Sequence, residues 1–401
     1  MPLFEYHAIN QEGKNISGRY NAKNRHEIIQ MLRSKKCYPV RINEVSADTD
    51  LSNIKLFNKI KTKDIAVFAR QFYAMLHAGV TVIQCLNILR VQVDKPHFRS
   101  VIDKVYESVQ KGASLSEAMR EHQNIFPELF VNMIEAGEAS GNLDNIMDRM
   151  ASHYEKESRI QRKIQGAMTY PIILAVVSVL VVVFMLVAIL PTFLGMFEGS
   201  GLPLPAPTRI LLGISNSLRQ YWYLYITGLA FISYAIRRYI NTEEGRKQFD
   251  FLKLKLPIVK NLVIKVSISR FTRTLSTLLA SGIPLLLAMD IVAKVVGNRV
   301  ISDGILSVKE DLRIGHELSG PIQRLGIFPP MVDSMIRIGE ESGSLEDVLY
   351  RTANFYDEEV ESAVQKLTSM MEPLMLIVMA VIIGFLVIAM YLPMIDMMQT
   401  I

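Results

Sequence analysis

Cysteine is scarce in this sequence, which has only Cys37 and Cys85 among 401 residues. The two lie far apart and form no CxxC pattern, so neither a disulfide framework nor a zinc site is expected, and both thiols suit a reducing cytoplasm. The first residues alternate between apolar and polar side chains. The apolar run of a signal peptide is therefore missing, and we expect no signal peptide.

Recognisable catalytic motifs are also missing. The chain has neither the GxxxxGK[ST] loop that binds phosphates nor a GxGxxG turn, and the His-Glu pairs at His26 and His316 lack the second histidine of a zinc protease. The long apolar runs carry no ionisable residue away from their ends. An intramembrane protease or an ion-coupled carrier needs such groups at depth. We expect no enzyme activity, no cofactor and no metal ion.

A strong excess of one charge is absent as well. The formal net charge is +5, and the surplus basic residues lie beside the apolar runs. This placement is typical of segments that flank a membrane and not of a nucleic-acid-binding surface. We therefore expect no nucleic-acid partner.

What the sequence does contain is a repeat. Residues 137–141 read GEASG, and residues 339–343 read GEESG. A repeat of this length indicates a duplicated domain and not a short solenoid unit. Each copy comprises a soluble segment and the apolar run after it. Paired residues keep an offset of 202 or 203 positions: Arg70 with Arg273, Gly79 with Gly282, Pro171 with Pro373.

The spacing of apolar residues predicts the soluble parts. Strand-like alternation indicates a small α/β module over 1–45, and a polar linker follows over 46–61. Apolar residues three and four positions apart predict all-α helical bundles over 62–168 and 260–370. Gly79 follows the first of these helices as a C′ glycine.

Three apolar runs predict transmembrane helices over 170–191, 218–236 and 373–393, since about 20 apolar residues cross a hydrocarbon core of ~30 Å. The second run is weaker, because it begins beside Arg219 and contains Trp222, and a buried soluble helix is its alternative. Three spans put both repeats on one side of the membrane.

Basic residues fix the expected orientation. They cluster before the first apolar run and after the second, which places the N-terminus and both repeats in the cytoplasm. The Pro-rich loop 192–217 and the C-terminal tail 394–401 are then outside. The predicted fold class is a mainly α polytopic membrane protein with two homologous cytoplasmic bundles, three transmembrane helices and the N-terminal α/β module.

The repeated GE-x-SG element has two interpretations. In the structural one, Gly141 and Gly343 end one helix and the next residue caps the following helix. In the functional one, Glu138 and Glu340 dock a basic partner surface or bind a metal ion, although one carboxylate per repeat is too few for a convincing metal site. Arg70 and Arg273 also have two interpretations, because each either pairs internally or docks a partner. Four further residues belong to the structural motif alone: Gly137, Gly339, Pro171 and Pro373.

These residues together resemble the GspF/PilC family, the platform proteins of type II secretion and type IV pilus assembly. The resemblance rests on the doubled GE-x-SG-x-L element, the Phe-x-Arg of each repeat with its downstream glycine, and the proline-led spans, and it covers nearly the whole chain. It implies a non-enzymatic protein of the bacterial inner membrane that couples a cytoplasmic hexameric ATPase to the assembly of pilin or pseudopilin subunits.

The resemblance also suggests further partners. Other inner-membrane assembly proteins, membrane lipid and further copies of the chain are expected to contact it. Two competing interpretations stay open from the residues alone. One is a transporter or channel subunit, and the other is a membrane scaffold unrelated to secretion.

Overall fold

A computed structural model describes residues 3–9, 15–22, 25–34, 37–45, 60–195 and 205–400. The chain divides into two compact units, one comprising residues 1–60 with 94–97 and a main unit comprising 61–93 with 98–401. The predicted linker and the middle of the predicted Pro-rich loop lie mostly outside the described residues.

The N-terminal unit contains a three-stranded antiparallel sheet and one helix. Its elements are β1 (Leu3–Ile9), β2 (Asn15–Asn21), α1 (Arg25–Ser34) and β3 (Tyr38–Val45). The sheet order is β2-β1-β3, and the β1–β3 register shifts between His7 and Ala8. Ala8, Ala22, Ile28 and Leu32 form its small buried core.

The first repeat is a bundle built around phenylalanine. Its helices are α2 (Thr62–His77), α3 (Val82–Gln92), α4 (Pro96–Gln110), α5 (Leu115–Arg120), α6 (Glu128–Ser140) and the start of α7 (Leu143–Phe184). Phe68 lies at the centre of the core, with its ring centroid 5.6 Å from those of Phe98 and Phe126 and 5.7 Å from that of Phe72. Such tilted contacts suit aromatic rings, whose edges and faces carry opposite partial charge.

Short-range signals in the sequence define several helix ends. The Thr81 hydroxyl accepts the Gln84 amide at the start of α3, and Ser114 with Glu117 forms a complete capping box at α5. Gly79 follows α2 with φ +82°, a left-handed conformation that costs glycine little.

The second repeat has the same order of elements. It comprises α11 (Pro257–Leu279), α12 (Leu285–Val295), α13 (Arg299–Arg313), α14 (Ser319–Leu325), α15 (Pro330–Glu341) and the start of α16 (Leu345–Thr400). Gly282 follows α11 with φ +78°, as Gly79 follows α2. The preceding helix α10 (Glu243–Lys255) packs against α11 and α13.

Each repeat ends in a helix that continues directly into an apolar run. α7 and α16 each contain such a run. Pro171 and Pro373 lie inside these continuous helices, not at their starts. Two helices are thus long and apolar enough to cross a membrane among the described residues.

The segment between these two helices is more helical than the sequence suggests. A π-helical turn (Met185–Ile189) and α8 (Leu190–Gly195) extend the first apolar run into the predicted loop 192–217. α9 (Ala206–Ile240) then contains the predicted span 218–236 but begins twelve residues earlier, and Tyr221 interrupts it with non-helical angles of φ −118° and ψ 23°. The predicted loop therefore ends at Pro205, directly before α9 begins.

Candidate functional site

The two glutamates of the repeated element hold the start of a short helix in place. Glu138 accepts the Leu115 amide through Oε1 at 2.6 Å and the Ser116 amide through Oε2 at 3.1 Å. In the second repeat, Glu340 accepts the Leu318 amide and, at 3.1 Å, the Ser319 amide. The first amides of a helix have no partner within the helix, so each carboxylate satisfies two of them and also faces the positive end of the helix dipole.

The glycines of the element shape the turn and the helix contact beside it. Gly141 and Gly343 have φ values of +69° and +66°, where other residues are strained. A Cβ at Gly137 would lie 3.0 Å from Cγ1 of Ile146, and one at Gly339 would lie 2.9 Å from Cα of Leu345. The glycines thus allow α6 to approach α7, and α15 to approach α16.

One part of the structural interpretation is wrong. Asn142 occupies the N-cap position of α7, but its side chain makes no capping hydrogen bond. The turn is closed by the backbone instead, since the amides of Asn142 and Ser344 donate to the carbonyls of Gly137 and Gly339, each at 3.0 Å. This is the bond pattern of a Schellman motif.

The two paired arginines join the first and last helix of each bundle. Arg70 donates to Glu155 through Nε at 2.7 Å and Nη2 at 2.8 Å, and to Asp148 at 2.6 Å. Arg273 pairs with Asp357, which corresponds to Glu155. The hydrogen bond from Arg70 lowers the pKa of Glu155. Arg273 is more buried, and this burial lowers its pKa.

The two repeats contact each other through α7 of the first repeat and α11 and α16 of the second. Ile160 packs against Val360 and Val364 in a small apolar cluster. Polar contacts flank it, with Arg270 Nη2 2.5 Å from Glu157 Oε1 and Lys156 Nζ 2.5 Å from Asn354 Oδ1. The interface is therefore a mixed one, with an apolar centre and ion pairs around it.

His153 lies beside this interface, and no pattern in the sequence points to it. Its side chain is buried, its Nδ1 has no hydrogen-bond partner, and burial lowers its pKa to about 4. Arg270 and Arg273 lower that pKa further, while Glu157 opposes them. The imidazole is neutral at pH 7 as a result. The corresponding position of the second repeat is Phe355.

A second set of contacts, which we call the joint, connects the far ends of the two apolar helices through α9. The π-helical turn pairs the Leu190 amide with the Met185 carbonyl, so the next amide in that pattern would serve Leu186, but Pro191 has none. The freed Leu186 carbonyl accepts the Ser215 hydroxyl at 2.6 Å.

The second apolar helix repeats this arrangement. Pro393 lacks the amide that would serve the Ala389 carbonyl, and the Thr208 hydroxyl donates to that carbonyl at 2.5 Å. Thr208, Leu211 and Ser215 are buried on one face of α9. The Leu-Pro pair at the end of each apolar run thus creates an acceptor, and α9 satisfies both acceptors.

Metal binding finds no support at the repeated glutamates. Among the described residues, no group of three or more His, Cys, Asp or Glu side chains has the arrangement of a metal site. Both oxygens of each glutamate already accept backbone amides.

Fold and contacts define a class: a duplicated helical bundle in which each copy continues into an apolar membrane-type helix. The chain belongs to the type II secretion system protein F family. The family model matches residues 68–191 and 271–393, and the model of the family's N-terminal domain matches residues 1–43. The resemblance seen in the sequence is therefore confirmed.

Relatives support the same assignment over the full length. The chain is 37% identical to the type IV pilus assembly protein PilC of Thermus thermophilus, over all of this chain and 99% of the relative. It is 35% identical to PilC of Myxococcus xanthus, over 97% of this chain and 94% of the relative. It is 31% identical to the type II secretion system protein F of Vibrio cholerae, over 99% of this chain and 98% of the relative.

Proposed function

We propose that this protein is a non-enzymatic inner-membrane platform that couples a cytoplasmic hexameric ATPase to the assembly of pilin or pseudopilin subunits. The observation that carries the proposal is the continuity of α7 and α16. Each helix begins inside a soluble bundle and ends in an apolar run, without a loop between the two parts. A force applied to a bundle is therefore transmitted along one helix into the membrane.

The proposed topology has three spans, with the N-terminus and both repeats in the cytoplasm and the C-terminus outside. α9 is less apolar than α7 and α16, and it is the route of α9 that supports the third span. Its start bonds to Leu186 and Ala389, near the ends of the two apolar runs. Its end leads into α10, which packs on the second repeat, where α16 begins. The two parts of α9, which meet at the kink at Tyr221, together comprise 35 residues and about 52 Å of helix, and this length is enough to return across the hydrocarbon core.

The proposed partners bind at opposite ends of α7 and α16. The bundles bind the ATPase, and the apolar helices contact the hydrophobic helices of pilin or pseudopilin subunits. Other inner-membrane assembly proteins and further copies of the chain complete the machine. ATP-driven motion of the bundles would then lift subunits out of the membrane.

Docking through Arg70, Glu138, Arg273 and Glu340 stays a prediction. Their hydrogen bonds give each of them an architectural role, because the glutamates hold α5 and α14 and the arginines join helices within each bundle. Reversing the charge of Glu138 would therefore disturb the bundle as well as any docking surface. A neutral replacement is the better test.

The experiment is a titration of the full-length protein in nanodiscs with the hexameric ATPase of the same organism. We expect saturable binding and a change in ATP turnover. Glu138→Gln, checked for folding by circular dichroism, reports on docking by that residue, with exposed Glu341→Gln as its control. Wild-type affinity for folded Glu138→Gln would reject the docking role, and the absence of binding by the folded wild type would reject the ATPase partnership.

A further inference from the structure

A groove lies at the corner between the end of α9 and α10. It encloses about 690 Å³ and is lined mainly by apolar side chains, and its volume is within the roughly 300–1,000 Å³ typical of ligand sites. α9 supplies Ile236, Tyr239 and Ile240. α10 supplies Gln248, Phe249, Phe251, Leu252 and Lys255.

The corner is built rigidly. The Thr242 side chain caps α10 by accepting the Gly245 amide at 3.1 Å and donates to the Tyr239 carbonyl at 2.7 Å. A Cβ at Gly245 would lie 2.1 Å from that carbonyl oxygen, so only glycine fits. Tyr239 also donates its hydroxyl to Gln248 Oε1 at 2.8 Å. The groove is therefore preformed.

α10 presents opposite chemistry on its two sides. The side that faces the second repeat carries Asp250, which accepts the Arg299 amide at 2.9 Å, and Lys247, which pairs with Asp303 at 2.9 Å. The groove side leaves large apolar side chains in the open, with Phe251 and Leu252 each 50% exposed. The second repeat therefore covers one side only.

Positive charge surrounds this apolar surface. Residues 237–260 contain seven basic and three acidic side chains, and one of the acidic ones, Asp250, is buried against the second repeat. Lys255 Nζ lies 4.7 Å from the centroid of the Phe251 ring, and Lys253 Nζ lies 4.5 Å from that of Phe249. Within the described part of the chain, no carboxylate forms a salt bridge with Arg237, Arg238 or Lys255.

We infer that the α9–α10 groove binds an anionic phospholipid of the cytoplasmic leaflet, with the acyl chains on the apolar floor and the phosphate beside Lys255. The inference rests on the proposed function in one respect, since α9 must cross the membrane. Apolar rings with lysine ammonium groups over them match the boundary between acyl chains and headgroups. The excess positive charge matches the negative potential of that leaflet.

The apolar surface of α9 favours a lipid over a soluble acidic partner as the occupant of the groove. The helix that supplies one wall of the groove also exposes Leu229, Phe231 and Ile232 before it reaches Ile236. Acyl chains beside α9 can therefore extend into the groove. A soluble acidic partner would not contact the apolar surface of α9.

The test uses tryptophan fluorescence and brominated lipids, which quench indole at contact. Trp222 is the only tryptophan, so a double variant, Trp222→Phe with Phe251→Trp, reports on α10 alone. The unsubstituted protein reports on α9 through Trp222. Both are reconstituted at full length in vesicles that contain brominated phosphatidylglycerol or brominated phosphatidylcholine at the same mole fraction.

We expect quenching at position 251 by both lipids and a clear preference for phosphatidylglycerol. Lys255→Gln should reduce that preference about fivefold. Arg351→Gln is the control, because Arg351 is an exposed arginine of the second repeat that pairs only within α16. Lipid that stays bound in detergent, measured by mass spectrometry, checks the same preference without a tryptophan substitution.

Three results would overturn the inference. One is equal quenching by the two lipids that Lys255→Gln leaves unchanged. Another is quenching of Trp222 but not of the tryptophan at position 251, which would leave the third span intact and indicate a protein or solvent on the groove. The last is quenching at neither position, which would also reject the third span. None of these results depends on ATPase binding, which the titration tests separately.

Discussion

At the scale of single residues, the glutamates of the duplicated element connect distant parts of each bundle. Glu138 reaches backbone amides 22 and 23 positions earlier in the chain, and Glu340 reaches amides 21 and 22 positions earlier. Ser116 and Ser319, whose amides are bound in this way, are buried. Without the carboxylate these amides would have neither water nor a protein partner.

Glu340→Ala should therefore destabilise the second bundle by about 2 kcal/mol, since a buried polar group that loses its partner costs roughly 1–3 kcal/mol. The adjacent Glu341→Ala is the matched control. It removes an exposed carboxylate, and it should change stability by less than about 0.5 kcal/mol. Chemical unfolding of the full-length variants in detergent measures both effects. Equal effects would contradict the capping role.

His153 makes the stability depend on pH in a predictable direction. Its pKa is about 4 in the folded protein, below the roughly 6.5 of an unfolded chain. The unfolded chain therefore binds an extra proton between these values, and stability falls as the pH is lowered from about 6.5 to about 4.

His153→Phe, which introduces the side chain that Phe355 supplies in the second repeat, should remove this dependence and stabilise the protein by about 2 kcal/mol at pH 5 relative to its effect at pH 8. Unfolding at the two pH values measures it. The groups that face His153 (Glu157, Arg270 and Arg273) stay unchanged and act as an internal control. A pH profile that the substitution leaves intact would show that the proton binds elsewhere.

At the scale of helices, the sequence predicts the structural features that depend on residues close together in the chain. The capping box at Ser114, the C′ glycines and the two strongest apolar runs are local patterns, and the structure has them. The role of Glu138 is not local, because the spacing between a carboxylate and an amide 22 positions away follows no rule. The continuity of α7 and α16 is also hidden in the sequence, since proline is read as a break although a membrane helix tolerates it.

The joint at α9 illustrates the same limit. A proline frees a carbonyl four or five residues earlier, but the hydroxyl that satisfies it lies on another helix. Nothing in the spacing of Thr208 and Ser215 points to Ala389 and Leu186. The sequence therefore places the start of α9 in an external loop and does not predict its contacts with the apolar helices.

Thr208→Val should weaken the association of α9 with α16 by about 1 kcal/mol, given that hydrogen bonds between membrane helices average roughly 0.6 and reach roughly 1.7 kcal/mol. Pro393→Ala restores an amide donor to the Ala389 carbonyl within α16. The double variant should consequently lose less than the sum of the two single effects. Thermal unfolding in detergent measures this cycle, and strict additivity would argue against a shared acceptor.

At the scale of the whole molecule, the proposed function depends on stiff helices between bundles and membrane. Gln165 and Thr169 are exposed on α7, shortly before Pro171. Replacing both with glycine beside Gly166 makes this segment flexible, because glycine costs a helix about 1 kcal/mol relative to alanine. Replacing both with alanine removes the same side chains and keeps the helix.

We expect the double glycine variant to fold and to bind the ATPase, but to lose pilus assembly or secretion in a complementation assay. The double alanine variant should retain all of these activities. Full function of the glycine variant would indicate that force does not travel through α7.

The joint formed by Thr208 and Ser215 has a consequence for distances. Both apolar helices are held to α9 near residues 186 and 389, so their far ends cannot separate while these bonds persist. A change in the angle between the two bundles must then pivot about this point. From Leu186 to Leu143 the helix is about 65 Å long, so each degree of tilt moves its cytoplasmic end by roughly 1 Å. A small rotation at the joint therefore corresponds to a displacement of several ångströms at the bundles, where a motor would act.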